Sequence, residues 1–155
     1  MEIDHVVIKK MEPSHIEKVS FLEKAIFSQP WSNQGFLEAL SRKDTIFLIA
    51  EAEGEVIGYG GMYCAADEGE ITNVAIEEKF RKNGIGRKLL KELLEESEKE
   101  GIRQVFLEVR VSNESALCLY QSMGFEIAGV RKNFYRYPKE DAYVMNRNRN
   151  YSVPS

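Results

Sequence analysis

The feature that most constrains this chain is a basic, glycine-containing heptapeptide between an apolar run and an amphipathic segment. The heptapeptide is Arg81-Lys82-Asn83-Gly84-Ile85-Gly86-Arg87, and the run before it, residues 71–76, is typical of a strand. The segment after it repeats leucine at helical spacing. A glycine turn that opens a helix presents free backbone N–H groups at the positive end of the helix dipole. The pattern therefore predicts an anion site, and the usual anion is a phosphate.

The alternative is a tight turn whose glycines only permit positive φ angles. Arg81, Lys82 and Arg87 flank the turn in a chain whose net charge is −4, so the positive charge is local and favours the anion. The turn lacks the Lys-Ser/Thr ending of a P-loop and the Gly-x-Gly-x-x-Gly spacing of a dinucleotide fold. We therefore expect a different phosphate ligand.

The composition is that of an ordinary globular chain. Its 155 residues fit one domain, and no apolar run approaches the roughly 20 residues of a membrane span. The first five residues lack the apolar core of a signal peptide. Two cysteines, Cys64 and Cys118, predict no disulfide framework and a cytoplasmic location. A pI near 5.4 argues against direct binding to nucleic acid, and we expect no membrane partner.

Periodicity and turn residues predict a sheet with helices packed on it. We expect strands over 6–8, 45–53, 56–63, 71–76, 102–109, 125–130 and 141–145. We expect a first helix from Pro13 that buries Phe21, a short helix capped by Ser32 or Asn33, a long helix after the glycine turn and a helix over 113–123. This order predicts a mixed α/β or α+β fold. Residues 146–155 are polar, and we expect a disordered tail.

With Arg81-x-x-Gly84-x-Gly86 on a strand–loop–helix, the chain resembles the GNAT superfamily of acetyl-CoA-dependent N-acetyltransferases over about residues 5–145. Four further stretches are similar to the ribosomal-protein-alanine N-acetyltransferase (RimI-like) group. They are 107–113 with 116–125, Pro30-Trp31-Ser32, 131–135 and 140–142. The domain expected from the resemblance is residues 1–147, followed by a polar tail over 148–155.

The resemblance implies a single-domain GNAT fold, a mostly antiparallel sheet whose middle strands splay apart at one end to hold acetyl-CoA, with no metal. Backbone groups that the splay leaves unpaired would bind this co-substrate. The pyrophosphate would lie on the N–H groups of the glycine turn. The implied binding residues are Val74, Ala75, Ile76, Arg81, Lys82, Asn83, Gly84, Ile85, Gly86, Arg87 and Asn113. Asn113 is also expected to cap its helix.

Acetyl transfer to an amine needs a base, because a protein α-amine has a pKa of about 7.7–8.0 and is largely charged at neutral pH. Glu108 lies in an otherwise apolar strand, where a carboxylate is costly unless paired or functional. The structural alternatives are an ion pair with Arg110 or exposure at the strand end. The resemblance implies that Glu108 is the general base, acting directly or through a water.

The departing thiolate benefits from a proton, and the thioester carbonyl benefits from a hydrogen-bond donor. The resemblance implies Tyr120 as the general acid and a backbone N–H near Val74 as the donor. The alternative for Tyr120 is packing. We expect Cys118 to be a buried structural thiol rather than a nucleophile. His5 and His15 have no metal-site spacing.

The acceptor is the least constrained part. The resemblance implies that Trp31, Asn133, Phe134 and Tyr135 line a peptide groove, and loop packing is the alternative. For RimI-like enzymes the implied acceptor is the N-terminal α-amine of a ribosomal protein, usually alanine. Two alternatives stay open: acetylation of lysine side chains or small amines, and a non-catalytic acyl-CoA binding module.

Overall fold

A computed structural model describes residues 5–148. The strands are β1 (Val6–Lys10), β2 (Thr45–Ala52), β3 (Glu55–Ala65), β4 (Glu68–Ile76), β5 (Gln104–Arg110), β6 (Glu126–Arg136) and β7 (Lys139–Asn148). The helices are α1 (Ile16–Ile26), α2 (Asn33–Ser41), α3 (Ile85–Lys99) and α4 (Glu114–Ser122). None of these helices, within the described residues, is long and apolar enough to cross a membrane.

The strands form one seven-stranded sheet in the order β1-β2-β3-β4-β5-β7-β6. Every neighbouring pair is antiparallel except β4 and β5, which are parallel. These two strands pair only over Glu68–Glu70 with Gln104–Phe106. Both strands continue beyond that point, so a gap opens between 71–76 and 107–110. The predicted splayed sheet is confirmed.

The sheet carries helices on both faces. On one face, α3 and α4 pack through Leu89, Leu93 and Tyr120 against a core that includes Leu107. On the other face, α1 and α2 pack through Val19 and Phe36 against a core that includes Phe47, Tyr59 and Ala75. The gap between β4 and β5 therefore lies in the middle of the sheet, with helices on both faces.

The first helix differs from the prediction at both its start and its exposed face. Pro13–His15 form a 3-10 turn, and the α-helix begins only at Ile16. Phe21 was expected in the core but is 66% exposed, because it lies on the side of α1 opposite the buried stripe that contains Ile16, Val19 and Glu23. An apolar residue that is out of phase with the buried stripe cannot reach the sheet.

The C-terminal hairpin is longer than predicted. Residues 134–136 were expected to connect two short strands but lie in β6, and the turn is at Tyr137–Pro138. Residues 146–148 were expected in a disordered tail but complete β7, where Asn148 pairs with Gln104. Most of β6 is exposed at the sheet edge, so its sequence shows no clear hydrophobic alternation. The predicted tail over 149–155 lies outside the described residues.

Candidate functional site

The end of β4 offers unpaired backbone groups to the gap. Hydrogen-bonding directions alternate along a strand. The Glu77 N–H donates to the Ile57 carbonyl, so Ala75 directs its polar groups at Tyr59 of β3. Val74 and Ile76 consequently direct theirs toward the gap. The Ile76 carbonyl accepts from Arg81 Nε at 3.0 Å, so the groups left for a ligand are those of Val74 and the Ile76 N–H.

The turn before α3 is a cradle of backbone N–H groups. Among the described residues, the N–H groups of residues 82–87 have no acceptor, and the first helical bond is from Lys88 to the Gly84 carbonyl at 3.1 Å. Lys82 and Gly84 have φ angles of 66° and 75°, which turn successive N–H groups to one side. No side chain caps the helix. The cradle fits a phosphate-bearing ligand.

The polar side chains of Arg87 and Asn83 in the turn bond other groups of the protein. Arg87 donates to Ser122 Oγ at 2.6 Å and contacts the Met123 sulfur, which joins α3 to the end of α4. Asn83 donates to the carbonyls of Phe80 and Arg81. The cradle therefore depends on backbone groups, with these side chains holding its shape.

Glu108 lies beside the gap on the face that carries α1 and α2. Its neighbours Leu107 and Val109 are buried against α3 and α4, so Glu108 points to the opposite face. Its side chain is 12% exposed and lies 3.5 Å from Arg131 Nε. Burial raises the pKa of Glu108, and the charge of Glu70 and a hydrogen bond with Glu70 raise it further, while Arg131 lowers it.

Arg110 does not form the ion pair with Glu108 that the sequence offered as an alternative; it pairs with Glu140 instead. Arg110 bonds Glu140 Oε1 at 3.2 Å and the carbonyls of Tyr137 and Pro138, not Glu108. Glu140 Oε2 also accepts from the Ser112 N–H. Arg110 therefore fixes the β6–β7 hairpin against the end of β5, and Glu108 keeps its carboxylate beside the gap.

Tyr120 reaches the site from the other face. It lies on α4, is 8% exposed and packs edge-on against Phe125 at 5.6 Å between ring centroids. Burial raises its pKa above the ordinary tyrosine value, so it retains its proton at neutral pH. No hydrogen bond within residues 5–148 uses its hydroxyl. Such a hydroxyl is able to donate a proton to a ligand.

Three of the four predicted groove residues, Asn133, Phe134 and Tyr135, lie on β6, and Trp31 lies between α1 and α2. Tyr135 stacks on Arg110 at 4.2 Å and lies near both Glu108 and Tyr120. Asn133 has a φ of 55° and donates its N–H to Asp141. Trp31 packs half-buried against Phe36, 5.2 Å away between centroids. Asn113 caps α4 by accepting from the Ala116 N–H.

Sequence reasoning missed Glu70, Arg131 and a buried group around Glu23. Glu70 and Arg131 surround Glu108, but they lie on β4 and β6, far from it along the chain. Glu23 is 2% exposed and accepts hydrogen bonds from Trp31, Tyr59 and Asn73. The available signal was a glutamate among the apolar residues of a helix, as Glu108 is a glutamate among the apolar residues of a strand.

The two cysteines are free, and the described residues offer no metal site. Cys118 was expected to be buried but is exposed, and Cys64 is half-buried, with both thiols free. Burial raises the pKa of the Cys64 thiol. The described residues contain no cluster of three or more histidine, cysteine or carboxylate side chains placed to hold a metal.

Comparisons with known proteins identify the family of the chain. A family model described as the acetyltransferase (GNAT) family matches residues 14–125. A Bacillus subtilis relative is 34% identical over 139 residues, 89% of this chain and 92% of that one. The Escherichia coli ribosomal protein bS18-alanine N-acetyltransferase is 31% identical over 140 residues, 89% of this chain and 94% of that one.

A solved structure shares the fold over almost the whole chain. The crystal structure of the ribosomal-protein-S18-alanine N-acetyltransferase from Escherichia coli superposes with a TM-score of 0.86 at 28% identity, covering 97% of each chain. GNAT acetyltransferases use acetyl-CoA, whose phosphates match the N–H cradle in chemistry. The protein is an acetyl-CoA-dependent N-acetyltransferase, and the chain belongs to the GNAT family.

Proposed function

We propose that this enzyme transfers acetyl from acetyl-CoA to the N-terminal α-amine, with alanine first, of a ribosomal protein. The observation that carries the proposal is the placement of Glu108 and Tyr120 on opposite faces of one gap in the sheet. The acceptor is proposed from the names of the Escherichia coli relative and the matching solved structure.

In the proposed reaction the amine nitrogen attacks the thioester carbonyl carbon directly, within a ternary complex. Glu108 removes a proton from the ammonium, directly or through a water, before the N–C bond forms. Its raised pKa brings it closer to that of the amine, which favours this transfer. Glu70 and Arg131 set how basic the carboxylate is.

The CoA thiolate leaves on the face of the sheet that carries α3 and α4, where Tyr120 lies. As the C–S bond of the tetrahedral intermediate breaks, we assign the proton that reaches the CoA sulfur to the Tyr120 hydroxyl, which is neutral and has no partner within the described residues. The nitrogen of the intermediate loses its second proton to water, and the Tyr120 phenolate regains a proton from water. The Val74 N–H polarises the carbonyl as negative charge develops on its oxygen. The N–H groups of residues 82–87 hold the pyrophosphate, with Val74 and the Ile76 N–H along the pantetheine arm.

The acceptor peptide is proposed to enter from the face of α1 and α2. There, Tyr135 on β6 lies near Glu108, and Trp31 packs against Tyr63 of β3 within the core of the same face. Phe134 is 44% exposed next to Tyr135 and adds apolar area for the first residues of a peptide. This face carries the carboxylates of Glu70 and Glu108 beside Arg110 and Arg131. The carboxylates would attract the positively charged α-ammonium of a peptide.

A peptide assay with acetyl-site mapping tests the proposal. The substrate is a hexapeptide with the N-terminal sequence of ribosomal protein bS18, extended at its C-terminus by one lysine, and the control is the same peptide with its α-amine already acetylated. We expect acetylation of the free α-amine only, and we expect Glu108→Gln to lower kcat by about 100-fold. Glu126→Gln, an exposed glutamate on β6, is the matched control variant.

Three outcomes contradict parts of the proposal. Acetylation of lysine in the blocked peptide, or of polyamines instead of the α-amine, would replace the acceptor. Binding of acetyl-CoA without transfer to any of these amines would indicate a non-catalytic module. Wild-type turnover in Glu108→Gln would remove the assignment of the base.

A further inference from the structure

Glu23 is a buried carboxylate that the proposed reaction does not use. It lies in the last turns of α1, and its side chain is 2% exposed. None of the ion pairs within residues 5–148 includes it. Burial of a carboxylate without a cationic partner costs free energy. The hydrogen-bond donors around Glu23 must offset that cost.

Three neutral donors satisfy Glu23, one on one oxygen and two on the other. Oε2 accepts from the Trp31 N–H at 2.9 Å. Oε1 accepts from the Tyr59 hydroxyl and from Asn73 Nδ2, the latter at 3.1 Å. Burial and the neighbouring Glu23 raise the pKa of Tyr59, so this phenol keeps its proton and remains a donor.

The donors belong to two segments that the proposed reaction does use. Trp31 is in the connection between α1 and α2, on the acceptor face. Asn73 lies at a bulge in β4, where the register with β3 changes between Gly61 and Met62, and it directly precedes Val74. Thr72 donates to Asn73 Oδ1 at 2.6 Å, which fixes the amide with its NH₂ toward Glu23.

We infer that Glu23 is a positioning residue that ties the acceptor-side connection at Trp31 to the β4 bulge presenting Val74. This role rests on the proposed function, because Val74 matters only if the thioester lies beside it. Glu23 touches neither substrate. It holds the two halves of the site in one register, so that the amine and the carbonyl carbon meet at reacting distance.

The substitution Glu23→Gln tests this role because it keeps the volume and removes one acceptor. The carboxylate accepts on both oxygens, whereas an amide accepts on its oxygen alone. With the amide oxygen toward Tyr59 and Asn73, the NH₂ group faces the Trp31 N–H. With the amide oxygen toward Trp31, the NH₂ group faces the Asn73 NH₂. Either orientation sets a donor against a donor and breaks one of the two links.

Ser20 provides a matched control on the same helix. It is 3% exposed, lies about one turn before Glu23, and its hydroxyl has no hydrogen-bond partner among the described residues. Ser20→Ala therefore changes a buried polar side chain of α1 without breaking a link. Tyr59→Phe is a milder second variant, since it removes one donor from Oε1 and leaves Asn73 bound.

The experiment combines steady-state kinetics with fluorescence of Trp31, the single tryptophan of the chain. For Glu23→Gln we expect a change of about tenfold in acceptor KM, in kcat or in both, because one buried donor loses its acceptor. We expect acetyl-CoA affinity within about twofold of wild type, as the N–H cradle is untouched. Trp31 emission should shift to longer wavelength with stronger acrylamide quenching. Tyr59→Phe should change kcat or KM in the same direction by less, and Ser20→Ala should match wild type.

The positioning role is overturned if folded Glu23→Gln has wild-type kcat, KM and Trp31 emission and differs only in melting temperature. If Glu23→Gln does not fold, Asn73→Ala, which removes the NH₂ donor on the β4 side of the link, is held to the same outcome. Failure of the proposed function is separate, because it appears in the wild-type enzyme as transfer to another amine. The kinetic comparison is then made with that amine, and the Trp31 measurement needs no acceptor.

Discussion

At the scale of single residues, the chemistry depends on how the surroundings set the charge of a few buried groups. Glu108 is held between a like charge, Glu70, and an opposite charge, Arg131. The two neighbours act in opposite directions on the same carboxylate. If Glu108 is the base that we propose, the pH dependence of the reaction reports the balance between these two charges.

The acidic limb of the kcat/KM profile should move in opposite directions in two variants. If Glu108 is the base, activity rises as it loses its proton, so the limb follows its pKa. Glu70→Gln removes a charge that raises this pKa and should move the limb to lower pH. Arg131→Gln removes a charge that lowers it and should move the limb to higher pH. Rates are measured with one peptide throughout, so that the ionisation of the amine is constant.

Glu126→Gln serves as the control for this series because it removes an exposed carboxylate from the same sheet. Its limb should coincide with that of wild type. An acidic limb that does not move in Glu70→Gln and Arg131→Gln, or that moves the same way in both, contradicts the assignment of the base to Glu108.

At the scale of elements, the start of α3 is the most sharply defined part of the site. Gly84 has a φ of 75°, and no other atom lies within 4 Å of where its Cβ would be. A side chain there meets no steric neighbour but strains the backbone by about 1–2 kcal/mol. The strain would be released by turning the N–H groups of residues 82–87 out of their common direction.

Gly84→Val should weaken acetyl-CoA binding by about tenfold, since release of this strain disorders the cradle. Gly54 is a matched control in the β2–β3 turn, with a φ of 79° and equally open space. Gly54→Val should lose similar stability and keep wild-type acetyl-CoA affinity. Calorimetric titration of both variants makes the comparison, and equal affinities for Gly84→Val and wild type would refute the phosphate assignment.

The elements that the sequence predicts well are those with a buried stripe or a glycine at positive φ. The β2–β3 turn, the end of α3 at Gly101 and the end of α4 at Gly124 all have such glycines. The ends of β6 and β7 could not be predicted in this way. Most of β6 is exposed, so its sequence has no buried stripe, and its length is set by pairing with β7.

At the scale of the whole molecule, the sheet brings together groups that the sequence keeps apart. Glu23 lies 36 residues from Tyr59 and 50 from Asn73, and no local pattern connects them. The positions of Glu108 and Tyr120 beside the gap could be anticipated because the family motifs carry these residues, and the glycine turn before α3 because its pattern is local. Their roles in the reaction stay predictions. The register of β4 and the surroundings of Glu108 arise only from the tertiary fold.

The whole molecule is also the scale at which the acceptor is chosen. The gap and its flanking groups would serve any amine, while the α1–α2 connection and the β6–β7 hairpin border the face where a peptide would lie. A specific N-terminal acetyltransferase should therefore change a small set of protein N-termini in its own cell.

The central claim is tested most directly by mass spectrometry of protein N-termini in a strain lacking this protein. We expect the N-terminal alanine of ribosomal protein bS18 to lose its acetyl group in that strain. Wild-type enzyme should restore the acetyl group, and Glu108→Gln should not. An acetylated bS18 N-terminus in the deletion strain, with changes confined to lysine side chains or small amines, would contradict the account.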